Sequence, residues 1–181
     1  MSQPENSEWS VKNKIDTVKL LEEERWDELS AQERLDTLGT IVNIEVRYLG
    51  INRPIQLKSG VLKSDVAAQY ENDSSCIVID LPILAESDAS EALHNVCHKC
   101  YHAYQYQQVT LLSFVPAEYR NMLMFDNVEE YEKEFLDYED GTDDIVEYAL
   151  QKCEIDANKY ASSAVNDYYE LIEYYSQTKG T

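Results

Sequence analysis

The sequence predicts an α+β fold that is mostly helical. Three observations point to it: apolar residues recur at helical spacing through the first fifty positions, the segment from Arg53 to Leu81 changes to short runs separated by turn residues, and helical periodicity returns from Glu86 onward. A length of 181 residues favours one domain, and 44% hydrophobic content is enough for a single core. Residues 1–10 are polar, contain Pro4 and lack periodicity, so a disordered tail is expected ahead of a domain over 11–181.

Taken in order, Lys14 to Glu24 reads as a short amphipathic helix with Ile15, Val18, Leu21 and Trp26 on its apolar side. Ser30 followed by Glu33 is a capping box that opens a firmer helix. Its stripe is Leu35, Leu38, Val42, Val46 and Leu49, Gly50 stops it, and its acidic residues read as a solvated face. Ile55 and Leu57 alternate with polar neighbours, Ala67 to Tyr70 reads as a middle strand, and Cys76 to Ile79 as a buried or half-buried strand ended by Pro82. Gly60 and the run Asn72 to Ser75 supply turns.

Glu86 to Ser90 leads into a central helix ending near Leu112. Ser113 to Phe125, with Pro116, Phe114, Met122, Leu123, Met124 and Phe125, reads as a packed connection or satellite core in preference to an exposed docking patch. Asn127 to Tyr138 is an acidic helix broken by Glu139, Asp140, Gly141 and Thr142. Asp143 or Asp144 is expected to cap a last long helix that runs to about Tyr175, with Glu154 in its middle and Ala161, Val165, Leu171 and Ile172 inside.

The chemistry concentrates in residues 91–105, EALHNVCHKCYHAYQ, which hold all three histidines. On a helix His94, His98, His102 and Gln105 share an arc of roughly 80°, bordering a core side of Leu93, Val96, Cys100 and Tyr104. His98 and His102 reproduce the i, i+4 spacing with which two imidazoles reach one ion. A zinc hydrolase carries Glu directly after the first of them, as proton acceptor; that position is Lys99. Cys97 and Cys100 form a CxxC whose weaker readings are a redox pair or, with Cys153, a structural zinc site.

HKCYH at 98–102 and the pattern Glu154, Ala157, Asn158, Tyr160, Ala161 together resemble the two signatures of the ImmA/IrrE-like zinc metallopeptidases, a gluzincin family. The resemblance covers roughly residues 60–165 and implies a zincin-like fold: N-terminal helices, a small three-stranded sheet, the HxxxH helix and C-terminal acidic helices. It implies zinc as the cofactor, with His98, His102 and Glu154 as its ligands. The pattern departs from the family at Lys99, and at Tyr101, where a small residue is usual. General-base assistance is worth about 10² to 10⁴ in rate, so the Lys99 departure implies a protein that keeps the scaffold and loses most of the turnover. An ammonium near Glu154 is expected to be held charged by that carboxylate.

Charge is the loudest compositional signal: 35 acidic against 15 basic residues, a net of −20. Residues 126–175 alone carry 16 Asp or Glu against Lys133, Lys152 and Lys159. Such a chain is a poor ligand for nucleic acid or anionic lipid and a good one for a basic protein surface. Fourteen tyrosines against three phenylalanines add contact area with polar tips. The expected binding face is Glu129, Glu130, Glu134, Asp137, Asp143, Asp144, Tyr168, Tyr169, Tyr174 and Tyr175. By analogy with small acidic inhibitors carried by phages and mobile elements, the expected partner is a nucleic-acid-binding protein such as a nuclease, in an anti-CRISPR or anti-restriction role. The other reading, implied by the resemblance, is a working metallopeptidase acting on a regulatory protein, which needs Glu154 or Asp156 as its base. Four cysteines give no disulfide framework, and Cys76 reads as a buried strand residue. No run of 18 apolar residues is present and MSQPENSEWS has no signal-peptide pattern, so cytoplasmic residence is expected.

Overall fold

A computed structural model describes residues 14–63, 66–120, 122–125, 127–138 and 145–177. The expected tail and both Asp143 and Asp144 lie outside the described residues. The first helical stretch is not continuous. Residues 14–18 are α-helical, Lys19–Leu21 tightens to a 3₁₀ turn, Glu22 is extended, and helix α1 covers Glu23–Trp26. In one unbroken helix Leu21 and Trp26 would point about 140° apart. The break lets both bury completely. Trp26 Nε1 donates to the Ser87 carbonyl at 3.0 Å, and the Arg34 guanidinium, 5.0 Å from the Trp26 ring, donates to the carbonyls of Leu84, Ala85 and Ser87.

Helix α2 (Ala31–Tyr48) starts on the Ser30 capping box, with the Ser30 hydroxyl accepting from Glu33 N–H and the Glu33 carboxylate accepting from Ser30 N–H. Gly50, at φ +65°, ends it in the left-handed conformation that glycine adopts without strain. One of its acids is not solvated. Glu45 is buried, and its carboxylate accepts hydrogen bonds from Tyr160 and, at 2.8 Å, from Tyr168.

The sheet comprises β1 (Gln56–Gly60), β2 (Ala68–Glu71) and β3 (Cys76–Asp80) in the order β1-β3-β2. β3 is the middle strand, parallel to β1 and antiparallel to β2, so the 67–70 segment lies at an edge. Its apolar run, with Cys76, Ile77 and Ile79 buried, is what a central strand requires. Gly60 belongs to β1 rather than to a turn: it pairs with Asp80, and a Cβ there would lie 2.5 Å from Val78 Cγ1. Asp80 caps α3 (Leu81–Glu86), accepting from Ile83 N–H, and Asp88 caps α4 (Ala89–Leu112), accepting from Glu91 N–H.

Beyond α4, Phe125 packs with Leu112 and Val128 in a satellite cluster, while Phe114, Met122 and Leu123 are exposed. Helix α5 covers Val128–Leu136, α6 covers Ile145–Leu150 and α7 covers Lys152–Gln177. The expected single last helix is therefore two. Glu134 accounts for the interruption: its carboxylate accepts from the backbone N–H groups of Lys152 and Cys153, at 2.6 and 2.8 Å, capping α7 from another helix. Glu154 consequently sits in the first turn of α7, not its middle. Helices α4 and α7 form the main packing pair, sharing Cys97, Cys100, Ala161, Ala164 and Tyr168 in one core with α2 and the sheet. No described helix is long and apolar enough to cross a membrane.

Replacing Glu45 by alanine leaves two phenol hydroxyls without their acceptor in the core. The expected loss is about 3 kcal/mol of unfolding free energy, taking ~1–3 kcal/mol per stranded group, read from urea denaturation.

Candidate metal centre

His98, His102 and Glu154 come together between α4 and α7 although 52 positions separate the last two in the chain (154 − 102). Their side chains are almost wholly buried. His98 Nε2 lies 3.0 Å from Glu154 Oε2, His102 Nε2 lies 3.0 Å from Glu154 Oε1, and the two Nε2 atoms are 2.9 Å apart. The helical spacing of the histidines supplies the first pair. The first-turn position of Glu154 supplies the third member and adds the favourable field of a helix N-terminus to a carboxylate.

The far sides of the imidazoles determine which way their lone pairs point. His98 Nδ1 faces Asn158 Oδ1 at 3.0 Å and His102 Nδ1 faces Gln105 Oε1 at 2.8 Å. Gln105 has its amide orientation fixed, because Nε2 donates to the Cys153 carbonyl at 2.9 Å. An amide oxygen only accepts, so both Nδ1 atoms carry the proton and both Nε2 lone pairs are directed toward Glu154. Two neutral nitrogens and a carboxylate converging at such distances repel one another unless a cation lies among them. The donor set, two imidazoles and one carboxylate with outer hydrogen bonds on both rings, is one that could hold a metal ion.

Electrostatics agree with that reading. Burial alone would raise the Glu154 carboxyl, but the His102 and His98 rings that face it, with the Lys99 charge, hold it well below the usual carboxylate range. Burial pulls His98 down to about 4, so its imidazole is neutral near pH 7. Lys99 is half-buried and forms no ion pair with Glu154. Burial, the larger influence, lowers its pKa against the opposing pull of Glu154 and Cys153, so the carboxylate does not dominate its state as the sequence suggested.

Two further residues complete the site, and nothing in the motif names them. Tyr138 donates to Glu154 Oε1 and Tyr148 donates to Glu154 Oε2, the latter at 2.7 Å. The excess of tyrosine over phenylalanine is the signal that could have found them, since a buried phenol needs a partner and a buried carboxylate can take several. His94, half-buried one turn before His98, is outside the cluster. Cys97, Cys100 and Cys153 are fully buried, and burial pushes all three thiols up, which suits packing and neither redox exchange nor thiolate ligation.

The residues expected to form an acidic binding face divide into exposed and internally committed ones. Glu129, Glu130 and Asp137 are exposed, and Tyr174 is largely exposed. Glu134 is committed to capping α7, Tyr168 belongs to the core through Glu45, Tyr169 donates weakly to the Leu21 carbonyl at 3.4 Å, and the Tyr175 carbonyl accepts from Lys19 Nζ at 3.2 Å. Helix docking takes up the Tyr168 and Tyr169 side chains, whose hydroxyls reach α2 and the N-terminal segment, whereas at Tyr175 it engages the backbone carbonyl.

Asn158→Ala and Gln105→Leu each release one imidazole from its outer hydrogen bond while leaving all three candidate ligands in place. Each is expected to weaken divalent metal affinity by about 10- to 100-fold, measured by competition against a chromophoric chelator. No protein-family model, no curated protein and no solved structure matches this chain.

Proposed function

We propose that this protein is a zincin-like, metal-binding domain that retains the centre of an ImmA/IrrE-type metallopeptidase without its hydrolysis, and that it acts by binding a basic protein. The observation that carries the reading is the buried His98, His102 and Glu154 group, in which Lys99 directly follows the first histidine. Zinc is the ion such a donor set suits, and the chemistry it supplies when bound is Lewis acidity.

What the chain itself contributes argues against turnover. Glu154, one base open to a working enzyme, already faces two imidazole nitrogens and accepts from two phenols. Asp156, the other, is paired with Lys152 at 2.6 Å and accepts from Tyr131 at 2.5 Å. Lys99 occupies the proton acceptor's place, and an ammonium has no lone pair to offer. Exposed Glu129, Glu130 and Asp137 within a chain of net charge −20 favour a Lys/Arg-rich partner. An inhibitor of a nuclease, of anti-CRISPR or anti-restriction type, is the narrower form of this reading.

The purified protein is expected to hold about one zinc per chain by elemental analysis, a stoichiometry that follows from one three-ligand site, and to leave a peptide library uncut. Lys99→Glu is expected to gain cleavage, by up to the 10²- to 10⁴-fold or so of general-base assistance. Cleavage by the unaltered protein would return it to the working peptidases; absence of metal from it and from Lys99→Glu alike would remove the centre. A captured basic partner should be released steeply as salt rises above about 0.15 M, where the screening length falls to roughly 8 Å.

A further inference from the structure

Two phenols stand between the candidate centre and solvent, and one of them comes from the most thinly packed helix of the fold. Glu154 has no exposed surface, whereas Tyr138, whose hydroxyl donates to Glu154 Oε1, is itself 40% exposed. One side chain therefore spans the distance from bulk water to the carboxylate. Tyr148 donates to the other oxygen, Oε2, at 2.7 Å, and its ring meets the Tyr138 ring edge-on with centroids 6.3 Å apart. Tyr148 is the one residue of α6 that is not exposed. Ile145, Val146 and Leu150, the large aliphatic residues of that helix, are 66%, 62% and 69% exposed. Burial of apolar area thus does little to hold α6 in place, and six residues are too few for a helix to persist unsupported. On another side Asn158 is exposed, but it covers His98 at Nδ1 and leaves the converging Nε2 lone pairs unshielded.

A segment held by a few polar contacts and little apolar packing opens locally, at a smaller free energy than the core around it. We propose that α6, together with Tyr138, is a movable cover over the His98, His102 and Glu154 group, latched by two phenol hydroxyls on the two carboxylate oxygens. Latched, it keeps water and ligands from the centre on that side. Lifted, it exposes the carboxylate and the two Nε2 atoms together. The chain then has two separate obstacles to turnover: a lysine in place of the proton acceptor, and a centre that is shut. The inference rests on the reading above in taking these three residues as the group being covered, but the latch is made of the chain's own atoms and is testable with metal absent.

The probe is diethyl pyrocarbonate, which acylates unprotonated imidazole nitrogen, applied to the full chain after dialysis against chelator, with modified histidines assigned by peptide mass spectrometry. Reaction at His98 and His102 passes through the lifted cover, so its rate follows the population of that state. Both are expected to react more slowly than half-buried His94. Tyr138→Phe and Tyr148→Phe should each speed their acylation about 10-fold, since a hydrogen bond to a charged acceptor is worth at least roughly that factor, and leave His94 unchanged. Tyr168→Phe takes a comparable phenol from buried Glu45 and controls for general loss of stability: it should lower the urea midpoint without speeding His98 or His102. Parent protein in which these two react as fast as His94, latch variants that match the parent, or equal acceleration by Tyr168→Phe would each overturn the cover. With zinc added, the latch variants should release the ion to a chelator faster than the parent, and release at the parent's rate would overturn the claim that the cover shields the centre. Failure of every variant and the parent to take up zinc would instead remove the metal reading, with the acylation rates still deciding the cover.

Discussion

The structure depends on a carboxylate held away from water. Glu154 is fully buried, and burying a lone charge is among the costliest events in folding. Each oxygen accepts from one phenol and faces one imidazole nitrogen, groups drawn from three separate segments, and a cation among them would make the buried charge tolerable. The same logic recurs in α2, where Glu45 is buried against Tyr160 and Tyr168. Tyrosine outnumbers phenylalanine because the core of this chain contains acids, and a phenol can cover an acid with an apolar ring while donating to it. Much of the tyrosine content is thereby absorbed into internal packing rather than displayed on a surface.

How much of this was legible in the sequence follows from the range over which each signal acts. Local signals were readable. The Ser30 and Glu33 cap, the Gly50 stop, the Leu35 to Leu49 stripe, the three strands and the extent of the His helix all lie within a turn or two of the residues that specify them. The i, i+4 spacing of His98 and His102 and the pattern around Glu154 named the three residues the structure brings together. Signals that act across space were not readable. The cut between α6 and α7 is made by Glu134, a residue on another helix, so no local propensity marks it. The strand order cannot be read from alternation, because period 2 is blind to which neighbour a strand chooses. Glu45 looked like part of a solvated face because its partners lie 115 and 123 residues away.

The centre also illustrates how orientation, rather than identity, makes a site. Three residues of the right type would be unremarkable if the rings could turn. Asn158 and Gln105 remove that freedom by accepting from the outer nitrogens, and Gln105 is itself held by the backbone of Cys153. Lys99, on the same helix and next to His98, is half-buried and is no member of the three-donor group.

Gln105 bridges two jobs, since one amide edge docks α4 onto α7 and the other aims His102. Any species captured among the three donors must therefore bias the helices toward staying docked, by an amount fixed by its concentration relative to its dissociation constant. Loading of the centre and closure of the helix pair are linked equilibria, and fraying at the start of α7 would be felt first as a loss of affinity for the ion.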